Sequence, residues 1–189
     1  MAWFPPLQLG WLNGWIPAAL FYLVYLCLML IFPREVVSWL YDRSHWTRQQ
    51  SLLGSVGLPF AFAGLGLILA TPLKLNHPVF WVGLGGYLLG FAGFVWSMIS
   101  FRSTPLNQPV TDGLYRASRN PQWLTFILTL LSICLMIGSW TALGLFSVRI
   151  VLNHFRILGE EQACLEKYGA SYQQYMKAVP RYIFPHSQR

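Results

Sequence analysis

Three stretches of this chain, Trp11 to Phe32, Ser51 to Ala70 and Val79 to Phe101, run for 20 to 23 residues without an Asp, Glu, Lys or Arg. Coiled at 1.5 Å per residue, each is long enough to cross a hydrocarbon core of about 30 Å. Backbone in lipid has to satisfy its own hydrogen bonds, so a helix is the form such stretches take. Composition agrees: 55% of residues are hydrophobic and 10% are charged, where a soluble domain carries roughly 25% charged residues. Two shorter apolar stretches, Pro121 to Ile137 and Trp140 to Leu158, are parted by Gly138-Ser139, which predicts a tight helical hairpin. Pro121 suits the first turn of its helix, where a missing N–H costs nothing. The expected fold is all-α, a polytopic membrane protein of about five transmembrane helices. Helices 4 and 5 are the hairpin, and an amphipathic tail follows. Residues 1–189 form one membrane domain, with three packing helices in 1–101 and a loop, the hairpin and the tail in 102–189.

The net charge of +7 sits in alternate loops. Arg34, Arg43 and Arg48 fall in residues 33–50, and Arg102, Arg116 and Arg119 in residues 102–120. Lys167, Lys177, Arg181 and Arg189 follow the last span. The other side has an uncharged N-terminus, Lys74 and a bare hairpin tip. Basic short loops mark the cytoplasmic side. The N-terminus is therefore expected outside and the C-terminus inside, in a bacterial inner membrane or the endoplasmic reticulum. The basic residues are not clustered with exposed aromatics, which argues against nucleic acid as a partner. The first ten residues hold no Lys or Arg, and Trp3, Trp11 and Trp15 suit an interface belt better than a cleavable leader. Cys27, Cys134 and Cys164 are too few and too scattered for a disulfide framework, and no metal site is expected.

Two of the apolar stretches carry small residues at heptad spacing: Gly54, Gly57, Ala61 and Gly64, then Gly83, Gly86, Gly90 and Gly93. Such stripes let helix backbones approach in lipid, where no hydrophobic force drives helices together. The run Gly83-Leu84-Gly85-Gly86 follows no strand and is no dinucleotide fingerprint. After Leu158, charged residues alternate with Leu165, Tyr168, Tyr172, Tyr175 and Met176. This predicts two short amphipathic helices broken near Gly169, lying at the membrane surface.

The fifth stretch carries the chemistry. Arg149, Asn153, Arg156 and Glu160 lie at i, i+4, i+7 and i+11, within an arc of about 60° on a helix. Insertion scales assign about 2.5 to 3.5 kcal/mol to one Arg at the bilayer centre, so the stripe has to face the bundle interior or a water-filled cavity. A structural Arg156–Glu160 pair is the plainer reading, and Arg156 is near enough to the interface to snorkel. Arg149 is not. A second cluster, Thr111 to Trp123, includes Asp112-Gly113, a turn signal. The hairpin returns Glu160 and Glu161 to the membrane face of Arg119 and Asn120, so acids and donors meet at one mouth bounded by apolar helices.

At these residues the chain resembles the isoprenylcysteine carboxyl methyltransferase and phospholipid methyltransferase superfamily of membrane enzymes. That motif reads Gly-x-Tyr-x-x-x-Arg-His-Pro-x-Tyr, a helical hairpin, Arg-x-x-x-Glu-Glu, and an aromatic-Gly-x-x-Tyr-x-x-Tyr ending. Gly113, Tyr115, Arg119 and Pro121 match its first part. Arg156, Glu160, Glu161, Leu165, Tyr168, Gly169, Tyr172 and Tyr175 match the second, with Arg181 as the closing Arg. The resemblance spans residues 108–185, while the first three helices agree in character alone. The motif His is Asn120 here and the motif Tyr is Trp123. In the family that His helps to hold S-adenosyl-L-methionine; Asn donates and accepts hydrogen bonds without titrating near neutral pH.

The resemblance implies transfer of a methyl group from S-adenosyl-L-methionine to a lipophilic acceptor reached from the bilayer. It assigns cofactor binding to Gln108, Val110, Gly113, Tyr115, Arg119, Asn120, Trp123, Glu160 and Glu161. Arg156, with Arg149, would orient an anionic acceptor as the catalytic residues. Membrane sterol reductases, which use a reduced nicotinamide cofactor, share the Lys167-Tyr168-Gly169 run and the later tyrosines, and are the enzymatic alternative. A non-enzymatic membrane protein on the same scaffold is the other.

Overall fold

The computed structural model describes residues 1–42 and 46–183, so Arg43 and Arg189 of the charge argument lie outside the described residues. The described residues form seven α-helices: α1 Trp15–Ile31, α2 Arg34–Leu40, α3 Arg48–Ala70, α4 Pro78–Ser103, α5 Pro121–Ile137, α6 Trp140–Tyr168 and α7 Ala170–Ala178. A 3₁₀ turn occupies Gly113–Arg116, and no strand is present among the described residues. Helices α3, α4 and α6 are long and apolar enough to cross a membrane, while α1 and α5 are shorter apolar helices of 17 residues. The chain is thus a helical membrane protein, as its apolar stretches predict.

Two elements differ from expectation. Residues 34–40, expected as loop, form α2, with Pro33 as its cap and Glu35 in its first turn. The last apolar stretch does not stop at Leu158; α6 continues for nearly three more turns to Tyr168. Only the second of the two expected tail helices, α7, is therefore separate. Gly159 does not break α6, because the missing side chain lets Gln50 of α3 sit against it. The break falls at Gly169, whose φ of 55° ends the helix.

The small-residue stripes are packing surfaces. A Cβ on Gly83 would lie 2.7 Å from the Ser132 carbonyl of α5, and one on Gly90 would lie 2.8 Å from the Thr129 amide. On α3, a Cβ on Gly64 would come within 2.8 Å of the Phe146 ring of α6, and one on Gly57 would strike the Arg149 guanidinium. So α5 packs along α4 and α6 along α3, and the two hairpin legs touch each other far less. Their turn is tight: Gly138 takes a left-handed φ of 64°, and the Ser139 hydroxyl caps α6 by accepting from the Ala142 amide. Legs joined at the tip but committed to different partners diverge towards the far end, and this leaves space between them.

At the tip end, the N-terminal segment is laced to the turn and to the α3–α4 connection. The Ala2 amide donates to the Gly138 carbonyl at 2.8 Å, Gln8 to Ala70 at 2.8 Å and Lys74 to Met136 at 2.9 Å. At the opposite end Val110, Tyr115, Tyr172, Tyr175 and Val179 make a separate apolar cluster beneath α2 and the end of α6. Between them lies the main core, which includes Ile68, Phe80, Tyr87, Ile133, Ile137 and Phe146.

Candidate functional site

The space between the hairpin legs is a cavity of about 520 Å³ at the end away from the tip. Its polar wall is organised by Arg119, the second residue before α5. Arg119 Nε donates to Glu161 Oε1 at 3.0 Å and Nη2 to Oε2 at 3.1 Å. Its Nη1 donates to the Met176 and Val179 carbonyls, both at 2.9 Å, tying the end of α7 to the pair. Arg181 Nε donates to Glu161 Oε2 at 2.9 Å, and Asn120 Nδ2 to Glu161 Oε1 and the Arg181 carbonyl, each at 3.3 Å. The Ser118 hydroxyl adds a bond to the Arg181 carbonyl at 2.9 Å. A single carboxylate, 5% exposed, is thus saturated by two guanidinium groups and an amide. The bond to Glu161 pushes the Arg181 pKa further up, so that guanidinium stays charged.

Aromatic side chains close the next wall. The 3₁₀ turn buries Tyr115 against α7, whose Tyr175 hydroxyl donates to the Tyr115 carbonyl at 2.7 Å. Burial pushes the hydroxyl pKa values of Tyr115 and Tyr175 up, so both remain protonated donors. Lys167 lies 5.6 Å over the Trp39 ring and 5.3 Å over the Tyr168 ring, so α2 covers the end of α6.

The polar stripe of α6 runs down from this mouth. Arg156 Nε lies 3.2 Å from Glu160 Oε1, within ion-pair distance, yet it makes no aligned hydrogen bond. The Arg156 guanidinium also lies 5.7 Å over the Trp46 ring and 5.6 Å over the Trp123 ring. Two turns earlier, Arg149 uses the space that Gly57 leaves on α3, and its Nη1 is buried without a hydrogen-bond partner. Asn153 is fully buried and does not line the cavity. A second, mostly apolar cavity of about 180 Å³ opens between α3, α5 and α6. Tyr22, Trp123, Phe126 and Arg149 line both cavities, which puts Arg149 at their junction.

Of the residues singled out from sequence, Val110, Tyr115, Arg119, Asn120, Trp123, Arg149, Arg156, Glu160 and Glu161 all line the large cavity. Gln108 is exposed and off the wall, where its neighbour Pro109 lies beside Val110 instead. Gly113 is also off the wall. It lets the 3₁₀ turn approach α4, where a Cβ would lie 3.2 Å from Trp96 Nε1. Sequence reasoning gave no role to Gln122 within its second cluster and missed Trp39 and Tyr41, Lys167, and the α1 pair Tyr22 and Tyr25, all on the cavity wall. A signal for α2 existed in the Pro33 cap and first-turn Glu35. Two tyrosines three residues apart in an otherwise apolar span marked α1.

Residues 79–171, about half of the chain, match the phospholipid methyltransferase family. A stretch of 74 residues is 38% identical to the protein-S-isoprenylcysteine O-methyltransferase of Schizosaccharomyces pombe, covering 38% of this chain and 30% of that protein. The chain therefore aligns with less than a third of that relative. Both similarities are to methyltransferases, and the first covers the 3₁₀ turn, the hairpin and the Arg119–Glu161 pair. Through this segment the chain belongs to the superfamily of membrane methyltransferases that includes the phospholipid and isoprenylcysteine enzymes.

Proposed function

We propose that the chain transfers a methyl group from S-adenosyl-L-methionine to a lipophilic acceptor carrying a nucleophilic polar head. The observation that carries this reading is the junction at Arg149, where a polar, aromatic-walled cavity meets an apolar one. A cofactor with a charged end and a flat heterocycle suits the first; the body of a bilayer-derived acceptor suits the second.

The residues present fit the cofactor. Gln122 Nε2, beside Tyr115, and the Tyr168 hydroxyl, beside Trp39, are buried polar atoms on the cavity wall without a well-aligned hydrogen bond, and a polar ligand would satisfy them. Tyr115, Trp123 and the backbone at Pro109 and Val110 offer apolar and carbonyl surface to the heterocycle, and Glu160 offers a carboxylate. Bound there, the cofactor would supply an electrophilic methyl group on a sulfonium. Such a displacement needs alignment and a dry site more than it needs an acid or a base. Arg156 and Arg149 would hold the acceptor's anionic group, and the Arg119–Glu161–Arg181 cluster would keep the legs of the site in place. The basic loops favour the N-terminus outside and the C-terminus inside, with α1, α3, α4, α5 and α6 all crossing.

The test is to incubate purified protein with methyl-labelled S-adenosylmethionine and lipid extracts. Label entering the organic phase is expected. No transfer, together with no thermal stabilisation by S-adenosylhomocysteine, would sink the reading.

A further inference from the structure

The two adjacent carboxylates of α6 are held in opposite ways. Glu161 is 5% exposed and both of its oxygens are taken by donors from Arg119, Asn120 and Arg181. The Glu160 side chain is 39% exposed, and its pair with Arg156 is close at 3.2 Å but misaligned, leaving Arg156 Nε without a hydrogen bond. Arg156 does not depend on that carboxylate for its position. Its guanidinium is also held over the Trp46 and Trp123 rings, contacts that leave the donor edge of a planar fork available. Both members of the pair line the large cavity.

We propose that Arg156–Glu160 is the exchangeable ion pair of this site, linking its two ligands. The inference rests on the cofactor-and-acceptor reading above. A ligand beside Tyr115 that brings an ammonium or hydroxyl donors to Glu160 draws the carboxylate off the guanidinium. Arg156, still held by the indoles, then presents its fork to the anion of the second ligand. Glu161 takes no part, since moving it would strip Arg119, 7% exposed, of its counter-charge. Binding of either ligand thereby favours binding of the other, a linkage that is reciprocal by thermodynamic necessity.

The sign of one mutational effect tests this without knowledge of the acceptor. S-adenosylhomocysteine is titrated calorimetrically into the full chain in detergent, as wild type, Arg156→Gln, Glu160→Gln and the double variant. If the ligand competes with Arg156 for Glu160, Arg156→Gln tightens binding by roughly two- to fivefold, the range for a part-exposed pair. That gain disappears when Glu160 is already Gln. Should Arg156→Gln not fold, Arg156→Lys, which loses the Nε contact, carries the same test with a smaller gain of the same sign. Unchanged or weaker binding on removing Arg156, or an equal gain without Glu160, would overturn the proposal. Failure of wild type to bind S-adenosylhomocysteine at all would instead overturn the underlying methyl-donor reading.

Discussion

Arg119 and Glu161, 42 residues apart in the chain, meet as a two-pronged ion pair in which both side chains are almost fully buried. The pair joins the start of α5 to the far part of α6, across the mouth of a hairpin whose legs pack on other helices. Through Arg119 Nη1 and Arg181 it also gathers the chain after α7. Planar guanidinium against carboxylate is the geometry that best offsets the desolvation of two buried charges.

Removing one partner of such a pair should be far costlier than removing an exposed carboxylate. Glu161→Gln is expected to cost about 3 to 5 kcal/mol of stability, because Arg119 is left buried and uncompensated. Glu160→Gln should cost about 0 to 1 kcal/mol, the range for exposed pairs. Thermal unfolding of both variants in one detergent decides. Equal losses would mean that the two carboxylates do the same work.

The glycine stripe of α4 gives a sharper contrast within one helix. Gly90→Ala places a methyl group 2.8 Å from the Thr129 amide of α5, backbone that cannot step aside. Overpacking of this kind costs about 1 to 3 kcal/mol. Gly85, five residues earlier, has nothing within 4 Å of its would-be Cβ. Gly85→Ala should leave stability unchanged or raise it by up to about 1 kcal/mol through helix propensity. A loss of the same size at both positions, read in paired melting curves, would count against close α4–α5 packing.

The hairpin and the glycine stripes were legible because lipid enforces them: a span must be long and uncharged, and close helix contacts need small residues. The meeting of Arg119 with Glu161 was legible only as two motifs on one membrane face. What escaped the sequence was graded by context. Glu160 and Glu161 are identical in composition and adjacent in position, and only the tertiary structure separates a saturated carboxylate from a half-exposed one. The length of α6 escaped for a related reason. The charged residues that begin at Glu160 read as the end of the span, yet they extend the same helix, with Gln50 of α3 packed against Gly159. The α2 residues Trp39 and Tyr41 reach the cavity through a short helix that hydropathy does not register.

The proposed orientation is checked by labelling single cysteines in a background without the native ones. Gln8→Cys, on the segment laced to the hairpin tip, should react with an impermeant reagent added outside intact cells. Gln174→Cys, exposed on α7, should react only after permeabilisation. Reaction of both from one side would contradict an odd number of crossings.

Arg149 permits the most diagnostic experiment. Its Nη1 is buried without a hydrogen-bond partner on a helix long and apolar enough to cross a membrane, at the junction of the polar and apolar cavities. A half-buried guanidinium with one nitrogen lacking a protein partner contributes little to the stability of the empty protein. Arg149→Met, which fills the space beside Gly57 with a flexible apolar chain, should therefore leave thermal stability unchanged or higher. If the guanidinium receives the acceptor's anion, the same variant loses a charged hydrogen bond worth about 1.5 to 3 kcal/mol. Turnover of the acceptor should then fall roughly 10- to 100-fold in kcat/KM, with S-adenosylhomocysteine affinity nearly intact. A purely structural Arg149 predicts the reverse pattern, in which Met lowers the melting temperature and weakens the cofactor and acceptor steps together. Melting curves, cofactor titration and methyl transfer measured on this one variant separate the two accounts.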